Sequence, residues 1–491
     1  MIPSRHGRFV RWARARPGSR PTPAHPVLGQ LVLLTLLLAQ AVPAAGATVP
    51  APSVELVLPA DALLTGYLGF EARVRGAVDR VGFQLDGRPL LSRRTPPYRV
   101  EVDLGPLPAF HTLRAIAYGA DGRELARDQR FLNRPPHRFA IHLVASRPAS
   151  GALDQARVQV RAEVPIDHTL ARVELYRGEQ HLVTLPAPPD AYPIPLDGPY
   201  TPVVVRVRGL LDDGREAEDA VVINGPQAAE IVHVDLVEVY ATVLDRRGRP
   251  VAGLTAGDFT VRENGEPQPL RRFEPVHDLP LHATILLDTS ASMAPRLAAA
   301  RRAAVRFFDQ TVQSRDDAVA LIAFSDRPRV IAPYTADHER FSKGLEGLRA
   351  AHSTALYDSL VYGLYYQGGL EGHRALLLIS DGDDEISRNS LELALDYARH
   401  AQVTVYSVGL ALEGQGSKRI LARLADETGG RSFSVAQPED LDAIYQTVLN
   451  ELRARYLLVY QSPGVGRGFR NVEVAVAGRG LRVRAMRGYT P

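Results

Sequence analysis

The spacing of hydrophobic residues divides the chain into segments of two kinds. From about residue 51 to 276, short runs alternate apolar and polar positions and are separated by turns rich in Gly, Pro and Asp. This alternation predicts half-buried β-strands. From Leu281 to Arg453, nearly continuous apolar runs are separated by segments with apolar residues at helical spacing. This pattern predicts a doubly wound α/β fold, with a parallel sheet covered by helices on both faces.

An internal repeat lies within the β-rich part. The alternating run Val81–Gly87 recurs at Val173–Gly178, and Asp121–Glu124 recurs at Asp213–Glu216, with the same offset of about ninety residues. Two modules of this length, with period-2 strands and frequent turns, predict two β-sandwiches at residues 51–134 and 137–226. They resemble the bacterial immunoglobulin-like modules of exported proteins.

Strand patterns also flank the α/β segment on both sides. The first flank covers residues 230–277 and the second covers residues 456–491. Neither flank has enough strands to close a sandwich alone, and an isolated hairpin is marginally stable in water. We therefore predict that the two flanks pair into one β-domain, with the α/β domain (residues 281–453) inserted between them.

The α/β segment contains four apolar strands and six helical patterns. The predicted strands are Ala283–Leu287, Val319–Phe324, Ala375–Ile379 and Val403–Val408. The predicted helices are Ala294–Thr311, His338–Leu348, Ala355–Tyr366, Ser390–Ala401, Ser417–Asp426 and Leu441–Arg453. Four tyrosines of the third helix are expected to pack against the sheet. Doubly wound folds place their sites at the carboxyl ends of the strands.

Three predicted loops at that edge supply oxygen ligands. The first strand ends in Asp288, Ser290 and Ser292, Thr354 precedes the third helix, and Asp381 follows a later strand. Carboxylates and hydroxyls without thiol or imidazole suit Mg²⁺, with Mn²⁺ or Ca²⁺ as alternatives. The alternate spacing of the serines lets both face one ion, and a carboxylate from a protein partner would complete the shell.

A simpler alternative is that Asp288, Ser290 and Thr354 only cap helices, a role that these residue types favour. The neighbouring Asp383 and Asp384 are expected to be solvated loop residues.

The order and spacing of Asp288, Ser290, Ser292, Thr354 and Asp381 resemble the metal-ion-dependent adhesion site of the von Willebrand factor type A (VWA) family. The resemblance implies that the serines and the threonine contact the metal, while the aspartates assist directly or through water. Ala291 and Ser353 stand where the family often has glycine, and neither departure removes a ligand. The two flanks look like those of the exported VWFA-related proteins common in acidobacteria.

Charge and composition indicate where the protein is located and which classes of partner are excluded. The chain has 491 residues, a net charge of +3 and no cysteine. Residues 1–47 contain six arginines, no acid, an apolar stretch and an A-x-A site, as expected for a signal peptide. The alternative is a retained membrane anchor. The remainder is mildly acidic without a basic block, which argues against nucleic-acid partners.

These features together predict an exported binding or adhesion protein, located in the periplasm, at the cell surface or outside the cell. Its VWA domain would bind a divalent metal and capture a partner protein through an Asp or Glu carboxylate, and its tandem modules would form a stalk. We expect no enzymatic activity, because no general base beyond the metal ligands stands out. We expect no small-molecule cofactor, since Gln415 stands where a phosphate-binding loop requires lysine. The alternatives are an envelope assembly or scaffold factor and a metal-dependent hydrolase.

Overall fold

The computed structural model describes residues 51–59, 63–146, 154–198, 200–224, 236–370, 372–410, 412, 414–436, 440–463 and 468–490. All of them belong to the unit Pro50–Pro491. The predicted signal peptide and residues 230–235 of the first flank lie outside the described residues. Among the described helices, none is both long enough and apolar enough to cross a membrane.

The first β region contains seven strands in two antiparallel sheets. They are β1 (Ser53–Val57), β2 (Tyr67–Arg75), β3 (Arg80–Leu85), β4 (Arg88–Arg93), β5 (Arg99–Asp103), β6 (His111–Tyr118) and β7 (Glu124–Leu132). The sheet orders are β1-β2-β5 and β4-β3-β6-β7. One core contains apolar side chains from both sheets, including Phe70 and Phe83. The turn between β3 and β4 has positive φ at Asp86 and Gly87, as a tight hairpin requires.

The second β region repeats this arrangement strand for strand. Its strands are β8 (Ala140–Ser146), β9 (Gln155–Glu163), β10 (Leu170–Arg177), β11 (Gln180–Leu185), β12 (Tyr192–Pro195), β13 (Val203–Leu211) and β14 (Glu216–Ile223). The sheet orders β12-β9-β8 and β11-β10-β13-β14 correspond to those of the first region. A separate core, with Val158, Leu175 and Val205, lies between the two sheets.

The α/β domain follows four strands of the first flank. These four strands are β15 (Leu236–Leu244), β16 (Phe259–Glu263), β17 (Glu266–Gln268) and β18 (Leu270–Pro275). The strands of the α/β domain are β19 (Leu281–Asp288), β20 (Ala318–Phe324), β21 (Pro328–Thr335), β22 (His373–Ser380), β23 (Thr404–Leu410) and β24 (Ser432–Val435). Its helices are α1 (Leu297–Thr311), α2 (His338–Glu346), α3 (Leu356–Tyr366), α4 (Leu391–Ala401), α5 (Gln415–Glu427) and α6 (Leu441–Arg453).

The sheet of the α/β domain has the order β21-β20-β19-β22-β23-β24. Helices α1, α2 and α6 cover one face and α3, α4 and α5 cover the other. The sheet is mixed rather than wholly parallel as predicted, because β21 pairs antiparallel with β20. Only three residues, Ser325–Arg327, connect these two strands, and so short a connection permits only antiparallel pairing.

The two flanks of the α/β domain hydrogen-bond to each other. The second flank contributes β25 (Arg455–Gln461), β26 (Arg470–Val476), β27 (Arg482–Arg484) and β28 (Gly488–Tyr489). Strands from the two flanks alternate in the sheet β18-β25-β15-β27. In the sheet β17-β16-β26-β28 the flanks meet where β16 pairs with β26. One core contains side chains from both flanks, among them Val239, Phe259, Leu458 and Tyr460.

A buried arginine joins this flanking β region to the α/β domain. Arg455, at the start of β25, is 1% exposed. Its guanidinium donates to the Thr242 hydroxyl at 3.1 Å on one side, and on the other to the Thr404 hydroxyl at 2.6 Å and the Tyr406 hydroxyl at 3.0 Å. Helix α6 is therefore followed directly by β25, and the first side chain of β25, Arg455, hydrogen-bonds to both the flanking β region and the α/β domain.

Candidate functional site

Three loops meet at the carboxyl edge of the α/β sheet. The parallel neighbours β19 and β22 end side by side, with Leu287 opposite Ile379. The last residues of these strands, Asp288 and Ser380, are therefore adjacent, and the Ser380 hydroxyl donates to Asp288 Oδ2 at 2.7 Å. The D-x-S-x-S segment and the loop containing Asp381 thus begin at one point of the sheet.

Backbone hydrogen bonds hold the loop containing Thr354 between the other two. The Ala351 amide donates to the Thr289 carbonyl at 2.9 Å, which joins this loop to the D-x-S-x-S segment. The Thr354 carbonyl accepts from the amides of Glu385 and Ile386 at 2.8 and 3.2 Å, which joins it to the third loop. Thr354 itself is 1% exposed. The three sequence motifs are therefore parts of one interlocked set of loops.

Asp288 is a fully buried carboxyl group at the centre of these loops. Its Oδ1 accepts from the Ser290 amide at 2.8 Å, and its Oδ2 accepts from Ser380. Burial raises the pKa of Asp288 to about 6, hydrogen bonds from Ser380 and Ser290 oppose this rise, and the charge of Asp381 adds to it. The ionised form is thus destabilised by burial and by a neighbouring acid.

The two serines place their hydroxyls together. Ser290 Oγ and Ser292 Oγ are 3.1 Å apart. Ser290 precedes a short 3-10 helix (Ala291–Met293), but its side chain makes no capping hydrogen bond to that helix. Helix α3 begins after Ala355 and also has no side-chain cap at that residue. These geometries give no support to the alternative that the loop residues only cap the helices next to them.

Asp381 has an unusual environment. Its Oδ1 is buried and has no hydrogen-bond partner. A buried acceptor without a partner loses its hydration without compensation, and the cost is larger for a charged group. Together with the Asp288 carboxyl and nearby hydroxyls, this oxygen belongs to a donor set of the kind that hard divalent cations prefer. The residues present therefore fit a metal such as Mg²⁺.

The two acids that follow Asp381 in its loop, Asp383 and Asp384, differ in their surroundings. Asp384 Oδ1 accepts from the amides of Leu356 and Tyr357 at 2.7 and 3.2 Å, and also from the Ser387 hydroxyl at 2.5 Å. Asp384 was expected to be solvated, but it instead satisfies the amino-terminal amides of α3. Asp383 is exposed, as expected, and accepts from the Ser417 hydroxyl at 2.6 Å.

The role of Asp384 could have been suspected, because helix amino termini need acceptors and no side chain at Ala355 can act as one. The role of Ser380 gives no local signal, since it depends on which strands are neighbours in the sheet.

The tyrosines of α3 contact more than the α/β domain. Tyr357, Tyr362 and Tyr365 pack against the core on that face of the sheet, as expected. In addition, the Tyr365 hydroxyl donates to the Asn133 carbonyl, which lies in the connection between the two N-terminal β regions. Tyr366 stacks on Tyr334 and meets the edge of His137 from that same connection. The outer side of α3 is therefore a contact surface for the N-terminal part of the chain.

The comparison with family models matches residues 284–447 to the von Willebrand factor type A domain. This part of the chain is a VWA domain, and VWA domains generally mediate protein–protein interactions, including adhesion. No curated protein matches the chain.

Similar solved structures include three bacterial proteins. The vWF domain of the type V pili tip protein Mfa5 from Porphyromonas gingivalis is 13% identical, with 35% of this chain and 94% of that chain covered and a TM-score of 0.32. The conserved hypothetical protein BatB from Bacteroides thetaiotaomicron is 21% identical, with 34% and 97% covered and a TM-score of 0.29. The von Willebrand factor type A protein from Catenulispora acidiphila is 14% identical, with 51% and 72% covered and a TM-score of 0.33.

Proposed function

We propose that this chain is a binding protein whose VWA domain holds a divalent metal ion, with Mg²⁺ as the first choice. Asp288, Ser290, Ser292, Thr354 and Asp381 would supply the protein ligands, some of them through water. The observation that carries this proposal is the buried Asp381 Oδ1, which has no hydrogen-bond partner and lies in the same set of loops as the buried Asp288. A bound cation would compensate both carboxylates, and it would offset the charge of Asp381 that disfavours the ionisation of Asp288.

A partner protein would complete the metal shell with an Asp or Glu carboxylate. Mg²⁺ prefers octahedral oxygen coordination and retains waters that incoming oxygen ligands can replace. A carboxylate is the favoured incoming ligand because it adds negative charge to a site in which three of the five protein ligands are neutral hydroxyls. Binding without catalysis agrees with the general character of VWA domains as non-enzymatic interaction modules.

Titration calorimetry with Mg²⁺ and Mn²⁺ tests the metal site. We expect Asp288→Ala to lose detectable binding of both ions, because it removes a buried carboxylate from the centre of the loops. Glu385→Gln is the matched control, since Glu385 is an exposed acid in the same loop as Asp381. Equal affinity in the wild type and in Asp288→Ala would refute the metal assignment.

We also propose that the protein is exported and that residues 1–47 are a cleaved signal peptide. Trp12 is the only tryptophan of the chain, so cleavage would leave a protein without tryptophan fluorescence. Protein purified from the producing cells should therefore emit only as a tyrosine protein and should have a new amino terminus by mass spectrometry. Tryptophan emission from this material would contradict cleavage.

The proposed domain division has two immunoglobulin-like modules at 51–134 and 137–226, and one β-domain formed by residues 230–277 and 456–491 around the VWA domain. The matching sheet orders of the two modules support the first part. The pairing of β15 with β25 and β27 supports the second.

A further inference from the structure

A groove lies between the first β region and the VWA domain. One wall consists of the segments Leu63–Leu68 and Pro106–Pro108, and the other consists of Asp326–Pro328, part of α3 and the segment Ile386–Leu393. We call it the module groove. Its volume is about 620 Å³, which falls within the range of roughly 300–1,000 Å³ that is common for ligand sites.

The module groove begins beside the candidate metal loops. On one side, Asp326 follows Ser325, whose carbonyl accepts from the Ala355 amide at 2.7 Å. On the other side, the Ile386 amide donates to the Thr354 carbonyl at 3.2 Å. One residue that lines the groove, Ile386, therefore holds Thr354 directly, and another, Asp326, follows the residue that holds Ala355.

The first β region is packed against the VWA domain at this point. Leu63 and Leu107 pack against the hydrophobic core formed by α3, α4 and the sheet. Tyr365 of α3 hydrogen-bonds to the Asn133 carbonyl just after β7. The first module thus forms a fixed wall next to the metal loops, whereas a simple stalk would leave that edge of the VWA domain open.

The walls of the groove present exposed apolar side chains among charged and polar residues. Tyr67 is 80% exposed on the module wall and Ile386 is 47% exposed on the VWA wall. The Arg327 side chain at the rim is 63% exposed, although it lies 3.6 Å from Asp326. Asp358 inside the groove already accepts three hydrogen bonds, from the Arg388 amide and from the amide and side chain of Asn389. The remaining chemistry favours an apolar ligand with acidic groups near Arg327.

We propose that the module groove receives an extended segment of the partner protein whose carboxylate binds the metal. This inference rests on the proposed function. Because the groove borders the loop that contains Thr354, a bulky apolar side chain near the metal-binding Asp or Glu of the same extended segment would enter the groove. A further acidic residue in the same segment would lie near Arg327. The first module therefore contributes directly to partner selection.

An array of capped nonapeptides with a central Asp tests this proposal on the full chain in Mg²⁺. The array varies the position of one Leu, Phe or Tyr and of a second acidic residue. We expect binding to require Mg²⁺ and to favour a large apolar residue on one side of the Asp. Tyr67→Ala should weaken the best peptide about tenfold, as for a contact at the centre of an interface. Arg327→Ala should remove the preference for the second acid.

Tyr200→Ala is the matched control, because Tyr200 is 88% exposed on the second β region, outside the groove. It should leave peptide binding unchanged, and all three variants should retain the Mg²⁺ affinity of the wild type. Mg²⁺-dependent peptide binding that Tyr67→Ala does not weaken would overturn the groove assignment alone. Failure of every peptide to bind a protein that does bind Mg²⁺ would also overturn the groove assignment. A dimer of the chain that Tyr67→Ala dissociates would overturn it as well. Absence of Mg²⁺ binding in the wild type would instead refute the proposed function.

Discussion

Two buried carboxyl clusters in this chain are satisfied in different ways. In the flanking β region, Glu263 is 3% exposed, and both of its oxygens accept hydrogen bonds within the chain. The donors are the hydroxyls of Tyr460 at 2.7 Å, Ser462 at 2.7 Å and Tyr489 at 3.1 Å. Arg470 lies behind them and donates to the same Ser462 and Tyr489 hydroxyls. The chain therefore supplies everything that this buried carboxyl group requires.

The VWA cluster is incomplete by comparison. Asp288 is as deeply buried and is adjacent to a second acid, Asp381, whose Oδ1 has no hydrogen-bond partner. A fully satisfied buried cluster stabilises one structure, whereas an incomplete one is costly until a ligand completes it. The Glu263 cluster therefore stabilises the fold, and the incomplete Asp288 cluster supports the metal-binding role that we propose for it.

Deleting residues 456–491 should have the largest effect, because it removes every hydroxyl donor to Glu263 and both partners of β15. We expect the amides of β15 and β16 to lose their protection from hydrogen exchange, since β15 then has no partner strand and β16 keeps only the short β17. Amides in the centre of the VWA sheet serve as the internal reference. Unchanged protection in β15 would show that the first flank folds without the second.

Glu263→Ala should lower the free energy of unfolding by about 3–5 kcal/mol, as expected when one member of a buried polar network is removed. Urea unfolding measures this loss, and Mg²⁺ affinity should stay the same because the cluster is remote from the metal loops. Glu266→Ala, an exposed acid of the same hairpin, should change stability little. A metal affinity that falls together with stability would remove the distinction between the two clusters.

Asp288→Ala, in contrast to Glu263→Ala, should abolish Mg²⁺ binding and leave the fold intact. In the wild type, Mg²⁺ at a hundredfold excess over its dissociation constant should raise stability by about 2.7 kcal/mol, by mass action. The variant should lose this dependence on Mg²⁺ while it still unfolds cooperatively in EDTA. Thermal unfolding at several Mg²⁺ concentrations checks the result, and a retained upward shift would contradict it.

His137 provides a third and smaller case, in which a buried group is kept neutral. Its Nε2 is buried without a hydrogen-bond partner, and burial lowers the pKa of His137 to about 4. The ordinary pKa of histidine is about 6.5. Between pH 4 and pH 6.5, the His137 ring is therefore protonated in the unfolded chain and neutral in the folded chain. Stability contributed by the neutral ring should therefore be lost as pH falls from 6.5 towards 4, by on the order of 2 kcal/mol.

His137→Phe should reduce this pH dependence, because phenylalanine preserves a ring against Tyr334 and Tyr366 but does not titrate. Urea unfolding at pH 7 and at pH 4.5 measures the difference. His181→Phe, which replaces an exposed histidine of the second β region, is the control and should follow the wild type. An identical pH dependence in His137→Phe would show that His137 contributes nothing to it.

Most of the α/β domain could be predicted from the sequence. The four expected strands correspond to β19, β20, β22 and β23, and helix α6 has the predicted limits Leu441 and Arg453. These elements depend on periodic patterns within about ten to fifteen residues, which local sequence records directly. The strands β21 and β24 were not predicted, because each lies at an edge of the sheet, where burial is weaker and the pattern is less regular.

Local sequence patterns were sufficient to identify the kind of domain and the residue types of the candidate site. Strand ends in a doubly wound sheet meet at one edge, so Asp288, Thr354 and Asp381 could be expected there without a structure. The repeated strand pattern likewise indicated two similar β regions.

How these parts meet depends on contacts that form only in the folded chain. It placed the Ser380 hydroxyl on Asp288, Asp384 at the start of α3, and the donors from β25 to β28 around Glu263. It also set the first β region beside the metal loops to form the module groove. Each of these contacts joins residues that are distant in sequence, and its energy comes from burial and pairing across elements. No local pattern of hydrophobic and polar residues records such a pairing, because many partners of the same type could satisfy it equally well.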